Sequence, residues 1–223
     1  MARIPALSVS QAPTSTQQQL QALEKATGSV PNIFGTLANS QAAFGAFFQM
    51  QQPLGKGNLS VAEKESIALA VSQVGGCEYC LAAHTVLAGN AGLTGEAIRA
   101  ARNGEGGAVA ALARAIAQQR GHVSDTDLAK AREAGLSDST MIEIVANVAL
   151  VVFTNYLNSF AAHGPGLSAG LGLIGPKFDC RFSRTSDIRQ STVRAFASLQ
   201  FNESIRQTMP FFATLLRKHG IPR

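Results

Sequence analysis

The 223-residue chain has no tryptophan, two tyrosines and three cysteines. Three cysteines are too few for the disulfide frameworks that staple small secreted domains. No stretch reads as the run of about 18 apolar residues expected of a membrane span, and the opening MARIPALSVSQAPTSTQQQL lacks a basic-then-apolar leader pattern. Nor is there a phosphate-cradling glycine loop; Gly104, Gly106 and Gly107 read as a turn. Sustained period-two alternation is missing as well, so a sheet-built domain is excluded. The expectation left standing is a cytoplasmic, all-α protein that engages neither membrane nor nucleic acid.

A net charge of +5 suggests a polyanion partner, but its distribution argues against one. Ten Lys/Arg stand against eleven Asp/Glu in residues 1–176, and nine against three in 177–223. The basic character belongs to the tail, which reads as a solvated extension.

Punctuation and periodicity divide the chain into three parts. Residues 1–24 form a partly ordered N-terminal segment, with coil to about residue 16 and Pro5 and Pro13 as breaks. Residues 25–165 form a compact helical domain. In it Phe34, Leu37, Phe44, Phe47 and Phe48 recur at helical spacing and read as core. Ser60 followed by Glu63 is a capping box that starts a helix, and Gly75-Gly76 ends it. A further helix starts near Cys77. Others cover about 108–120, 125–134 behind Ser124 and 138–162 behind Ser137, with Gly121 and Gly135 at expected C-termini. Residues 166–223 are a glycine- and proline-rich linker and a basic extension, in which Cys180 is an unpaired thiol.

Two of the three cysteines lie in GGCEYCLAAH, residues 75–84. On a helix starting at Cys77, Cys80 lies about 60° round from Cys77 and His84 about 40° from Cys80, so all three share a face. A helix N-terminus favours a thiolate, and CxxC pairs have lowered thiol pKa values. An imidazole one turn along can take or relay the proton. Along one straight helix Glu65 would lie about 22 Å from Cys80. If Gly75-Gly76 folds the two helices back on each other, Glu65 comes level with residues 84–88 and can orient the His84 ring.

These residues leave several chemistries open. Cys77, Cys80, His84 and Glu65 are candidate zinc ligands, although structural zinc sites usually add a second tightly spaced pair. They also suit a redox dithiol, or two buried inert thiols. Asn155 and Asn158 read as helix-packing or capping residues, and His122, His163 and His219 as helix-end or tail residues.

The pattern Glu65, Cys77, Cys80, His84 resembles the AhpD-like alkylhydroperoxidase branch of the carboxymuconolactone decarboxylase family. So do the segments VPNIFGTLANS, RGHVSDTDLAKAREAGLSDSTMIEIV and FTNYLN, and the likeness covers roughly residues 25–162. It implies an all-helical fold that assembles into trimers or hexamers with active sites near subunit contacts. It also implies a thiol-dependent peroxidase without haem, flavin or metal. Cys80 would attack a peroxide and Cys77 would resolve the sulfenic acid to a disulfide. His84 and Glu65 would relay the proton, and a thioredoxin- or lipoyl-type dithiol protein would reset the pair. Two departures stand out. Tyr79 occupies a position between the cysteines where relatives often carry a relay histidine; its phenol can still hydrogen-bond and is a candidate relay group, but it is a poor base at neutral pH and implies a shorter or slower relay. The basic tail replaces a short acidic, aromatic end. The decarboxylase branch lacks the CxxC pair, so lactone decarboxylation is not implied. A general thiol–disulfide oxidoreductase or redox sensor is the alternative reading.

Overall fold

A computed structural model describes residues 2–162, and all regular structure among them is helical. The linker, the basic extension, Cys180, His163 and His219 lie outside the described residues. The chain divides into two compact units at residues 55/56 and 160/161.

The first unit contains α1 (Thr14–Thr27), α2 (Asn32–Leu37) and α3 (Gln41–Gly55). The sequence treats 32–50 as one resumed helix, whereas the structure breaks it at residues 38–40. There the Asn39 amide bonds Thr36 O and, at 2.9 Å, Pro5 O, a contact no local pattern announces. The break lets Phe34 meet α3, stacking on Phe48 with ring centroids 5.8 Å apart and meeting Phe47 edge-on. The N-terminal coil is tied down by its backbone, Leu7 N–H donating to Gly35 O at 3.0 Å. Gly35 is required there, because a Cβ would lie 2.7 Å from Leu7 O. A groove of about 600 Å³ beside α1 and α3, lined by Thr16, Gln19, Gln41, Phe44 and Gln49 among others, holds none of the expected site residues.

The second unit contains α4 (Val61–Gly75), α5 (Glu78–Asn90), α6 (Gly95–Asn103), α7 (Ala108–Gln119), α8 (Asp125–Glu133) and α9 (Asp138–Ala161). The capping box forms: Ser60 Oγ accepts from Glu63 N–H at 3.2 Å, and Glu63 Oε2 accepts from Ser60 N–H at 2.7 Å. Ser124 caps α8 and Ser137 caps α9 by the same rule. α7 ends at Gln119, two residues before Gly121, with Arg120 itself left-handed at φ 54°.

α4 is the axis of this unit and packs against α5, α6 and α7. Eight consecutive residues, 65–72, are buried, so it has no solvent face over two turns. Ile67, Ala68 and Val71 meet Val109, Leu112 and Ile116 of α7 and Ile144, Val148 and Val151 of α9 in one apolar cluster. Leu69 turns the other way, toward Ala88, Ile98, Ala101 and Ala110. Alanines at these crossings let the helix axes approach closely, which accounts for the small-residue composition. At about 25 cal/mol per Å² of buried apolar surface, each buried Leu or Ile contributes roughly 1.5–3 kcal/mol.

α9 departs from the sequence reading, since by length and composition it is apolar enough to cross a membrane. Its Asn and Thr residues interrupt any continuous apolar run, which is why the sequence alone does not mark it. Here one face joins the core of the second unit, while Ile142, Val145, Tyr156 and Phe160 are exposed. Asn147, Asn155 and Asn158 are buried on it.

Candidate redox site

The glycine doublet does two separate things. Gly76 ends α4 in the left-handed region at φ 63°, which only glycine adopts without cost, and so reverses the chain into α5. Gly75 leaves room for α9: a Cβ there would stand 3.1 Å from Asn155 Nδ2. Asn155 Oδ1 accepts from Ser72 Oγ at 3.1 Å, and Ser72 O accepts from Cys77 N–H at 3.1 Å. The turn that presents the cysteines is thus pinned from α4 and α9 together.

Cys77 is the N-cap of α5 rather than its first helical residue, and its Sγ accepts from Cys80 N–H at 3.3 Å. Cys80 is the third residue of the helix, inside the turn where unpaired N–H groups and the helix dipole stabilise negative charge. The two cysteines form a disulfide across a Cα–Cα distance of 5.3 Å. They are 4% and 3% exposed, so a reactant meets only a small part of either residue's surface. Tyr79, between them, is half-buried.

The reversal brings Glu65 back onto α5. Glu65 Oε2 lies 2.8 Å from His84 Nδ1, the Glu65 side chain 4% exposed and that of His84 23%. An ionised carboxylate only accepts hydrogen bonds, so Nδ1 carries the hydrogen and Nε2 is left free to take or give a proton. A carboxylate buried this deeply would cost several kcal/mol without a partner, and the imidazole is the partner it has. His84 in turn sits one helical turn after Cys80, the spacing at which side chains on one face are neighbours.

Of the expected site residues, the structure therefore joins Glu65 to His84 and Cys77 to Cys80, with α5 carrying Cys80 and His84 and Cys77 capping it. Among the described residues no group of three or more His, Cys, Asp and Glu is arranged to hold a metal ion. One residue that sequence reasoning assigned to helix packing belongs here instead. Asn158 Nδ2 donates to Cys80 Sγ at 3.3 Å across 78 residues of chain. The only sequence signal for it was a pair of asparagines, 155 and 158, on one face of an otherwise apolar helix.

Comparison with known proteins agrees with this fold. Residues 41–105, which hold Glu65, both cysteines and His84, match the carboxymuconolactone decarboxylase family. Over that stretch the chain is similar to that family. Its fold is that of an AhpD-core, uncharacterized peroxidase-related protein from Ralstonia eutropha JMP134, at TM-score 0.65 and 24% identity, over 74% of this chain and 92% of that one. A second peroxidase-related protein, from Silicibacter sp. TM1040, superimposes with TM-score 0.62 at 22% identity, covering 74% and 94%. The debrominase Bmp8, in complex with 2,3,4-tribromopyrrole, superimposes with TM-score 0.63 at 20% identity, covering 75% and 94%. No curated protein sequence matches the chain.

Proposed function

We propose that this chain is a member of that family and a thiol-dependent peroxidase that reduces hydrogen peroxide or an organic hydroperoxide through Cys80 and Cys77. The observation that carries this reading is the part-buried His84, one turn along α5 from the disulfide and held by the buried Glu65 of α4. In the reduced enzyme His84 Nε2 takes the Cys80 proton, and Glu65 holds the ring and stabilises the imidazolium. The thiolate attacks the terminal peroxide oxygen. The S–O bond forms as the O–O bond breaks, and the departing alkoxide or hydroxide takes a proton from the imidazolium. Cys80 is now a sulfenic acid. The Cys77 thiol displaces its hydroxyl as water and forms the disulfide, and an external dithiol of thioredoxin or lipoyl type returns two electrons and two protons.

The proton relay is what favours a peroxide over a disulfide as the electrophile. A departing thiolate is stable near neutral pH, whereas a departing alkoxide is a far stronger base and needs an acid beside it. Tyr79, in place of a relay histidine, is a weaker proton carrier at neutral pH, so His84 bears most of this duty. General thiol–disulfide exchange is the second reading, favoured by the thiol pair itself, which performs it without the relay. Among the structural relatives a debrominase sets a third class of electrophile to be tested beside these two.

The deciding experiment offers reduced protein hydrogen peroxide, an organic hydroperoxide, a model disulfide and a brominated pyrrole, each with a panel of dithiol donors. Peroxide-dependent dithiol oxidation that is lost in Cys80→Ser supports the reading; turnover of the model disulfide alone replaces it with the second. A homo-oligomer is part of the proposal, with the exposed α9 residues Ile142, Val145, Tyr156 and Phe160 as the contact with a second copy. Light scattering on Tyr156→Glu tests that contact, with a fall in mass expected and an unchanged mass contradicting it.

A further inference from the structure

Around Cys80 the second unit supplies one polar group that neither the proton relay nor the disulfide uses. Asn158 is 5% exposed, and its amide is divided in function: Nδ2 donates to Cys80 Sγ at 3.3 Å, while Oδ1 is buried with no hydrogen-bond partner. Its neighbour Asn155 has Oδ1 held by Ser72 and Nδ2 buried without a partner, but that amide lies at the Gly75 turn and not on the sulfur. An acceptor left unpaired in a protein interior costs roughly 1–3 kcal/mol, and leucine would fill similar space without that cost. An asparagine here therefore calls for a partner that is absent in the disulfide state.

We infer that Asn158 is a further catalytic residue, whose amide N–H stabilises the Cys80 thiolate and whose Oδ1 receives the hydroxyl that arrives at that sulfur. The inference rests on the thiol chemistry proposed above and names the group that would hold the reacting oxygen. The two halves of one amide match the two needs of the step. A negative sulfur accepts a hydrogen bond more strongly than a thiol or a disulfide sulfur does, so Nδ2 favours the attacking form. The terminal peroxide oxygen carries a hydrogen, as does the sulfenic acid formed from it, and either can donate to Oδ1. When Cys77 expels that hydroxyl as water, Oδ1 is again unpartnered, as it is in this structure. The titratable groups on α4 and α5 are Glu63, Lys64 and Glu65 on α4, Cys77 at the cap of α5, and Glu78, Tyr79, Cys80 and His84 on α5. Between residues 144 and 160 α9 adds no Asp, Glu, Lys, Arg or His, so its contribution beside Cys80 is a neutral dipole.

The test uses the full chain with Cys77→Ser and Cys180→Ser, so that Cys80 is the one remaining thiol, and compares Asn158 with Asn158→Leu and Asn158→Asp. Alkylation rate against pH gives the Cys80 pKa. A hydrogen bond to a charged sulfur corresponds to a rise of about one unit in Asn158→Leu. Asn158→Asp, which keeps the shape and adds negative charge, should raise it further. A Cys80 pKa unchanged in both variants overturns the inference, and the near-isosteric Asp variant keeps the test valid if Leu disturbs the fold. Sulfenic acid formation from hydrogen peroxide is then measured well above every pKa, where the thiolate fraction is equal. There loss of Oδ1 should slow Asn158→Leu about tenfold, one hydrogen bond's worth, and equal rates would remove the role given to Oδ1. Should the parent protein form no sulfenic acid at all, the peroxide reading fails, while the alkylation profile still decides whether Asn158 holds the sulfur.

Discussion

The two compact units bury polar groups in different ways. In the first unit Thr16 and Thr36 are buried, and each hydroxyl is satisfied within its own helix turn, by Pro13 O at 3.1 Å and Asn32 O at 2.8 Å. In the second, Ser66 and Asn147 are likewise satisfied within a turn, but Glu65 is bonded to a residue 19 positions away, Ser72 to one 83 away, and Cys80 to one 78 away. Local satisfaction is cheap and costs the fold no specificity. Long-range satisfaction requires α4, α5 and α9 to be held in fixed positions, and it is concentrated around one pair of sulfurs. The first unit instead spends its side chains on packing, with Phe34, Phe44, Phe47 and Phe48 in mutual ring contact. Stability and chemistry should therefore separate when the two units are perturbed in turn.

The largest expected effect is complete. Cys77→Ser should abolish turnover with a dithiol while leaving a Cys80 sulfenic acid that dimedone captures, read by intact-mass spectrometry; continued turnover would remove Cys77 from the cycle. Next, Phe47→Ala should destabilise the protein by about 3–5 kcal/mol, the usual cost of emptying a buried aromatic site. Urea unfolding measures this, and the alkylation rate of Cys80 per folded molecule should not change. The converse variant is Glu65→Gln. It should slow peroxide consumption by roughly 10–100-fold, since the imidazole loses the group that orients it and stabilises its charge, with a smaller change in the unfolding midpoint than Phe47→Ala gives. A Glu65→Gln protein that is destabilised but as fast as the parent would make the ion pair structural. The smallest effect belongs to Arg120→Gly. Replacing a left-handed non-glycine residue at the end of α7 should add about 0.5–1 kcal/mol of stability, with thiol reactivity unaltered.

What could be read from sequence follows the same division between local and distant. The Ser60–Glu63 box, the Ser124 and Ser137 caps and the spacing of Cys77, Cys80 and His84 are encoded within a few residues and appear in the structure where the pattern put them. Glu65 beside His84 was reachable too, because a helix reversed at a known glycine brings fixed residues level. Cys77 as cap rather than first helical residue is a one-position difference, set by its sulfur accepting from Cys80 N–H. The break between α2 and α3 was not legible, since it depends on Asn39 reaching Pro5. Neither was Asn158, whose meaning lies in a sulfur at the far end of the second unit's sequence. The bilayer-like composition of α9 likewise gains its sense only when its buried asparagines are seen facing the turn and the thiol.

The most direct measurement is a single turnover. Fully reduced protein mixed with one equivalent of hydrogen peroxide should consume it and yield one Cys77–Cys80 disulfide per peroxide, counted by peptide mapping under acid quench. Peroxide left unconsumed while both thiols remain free would contradict the account.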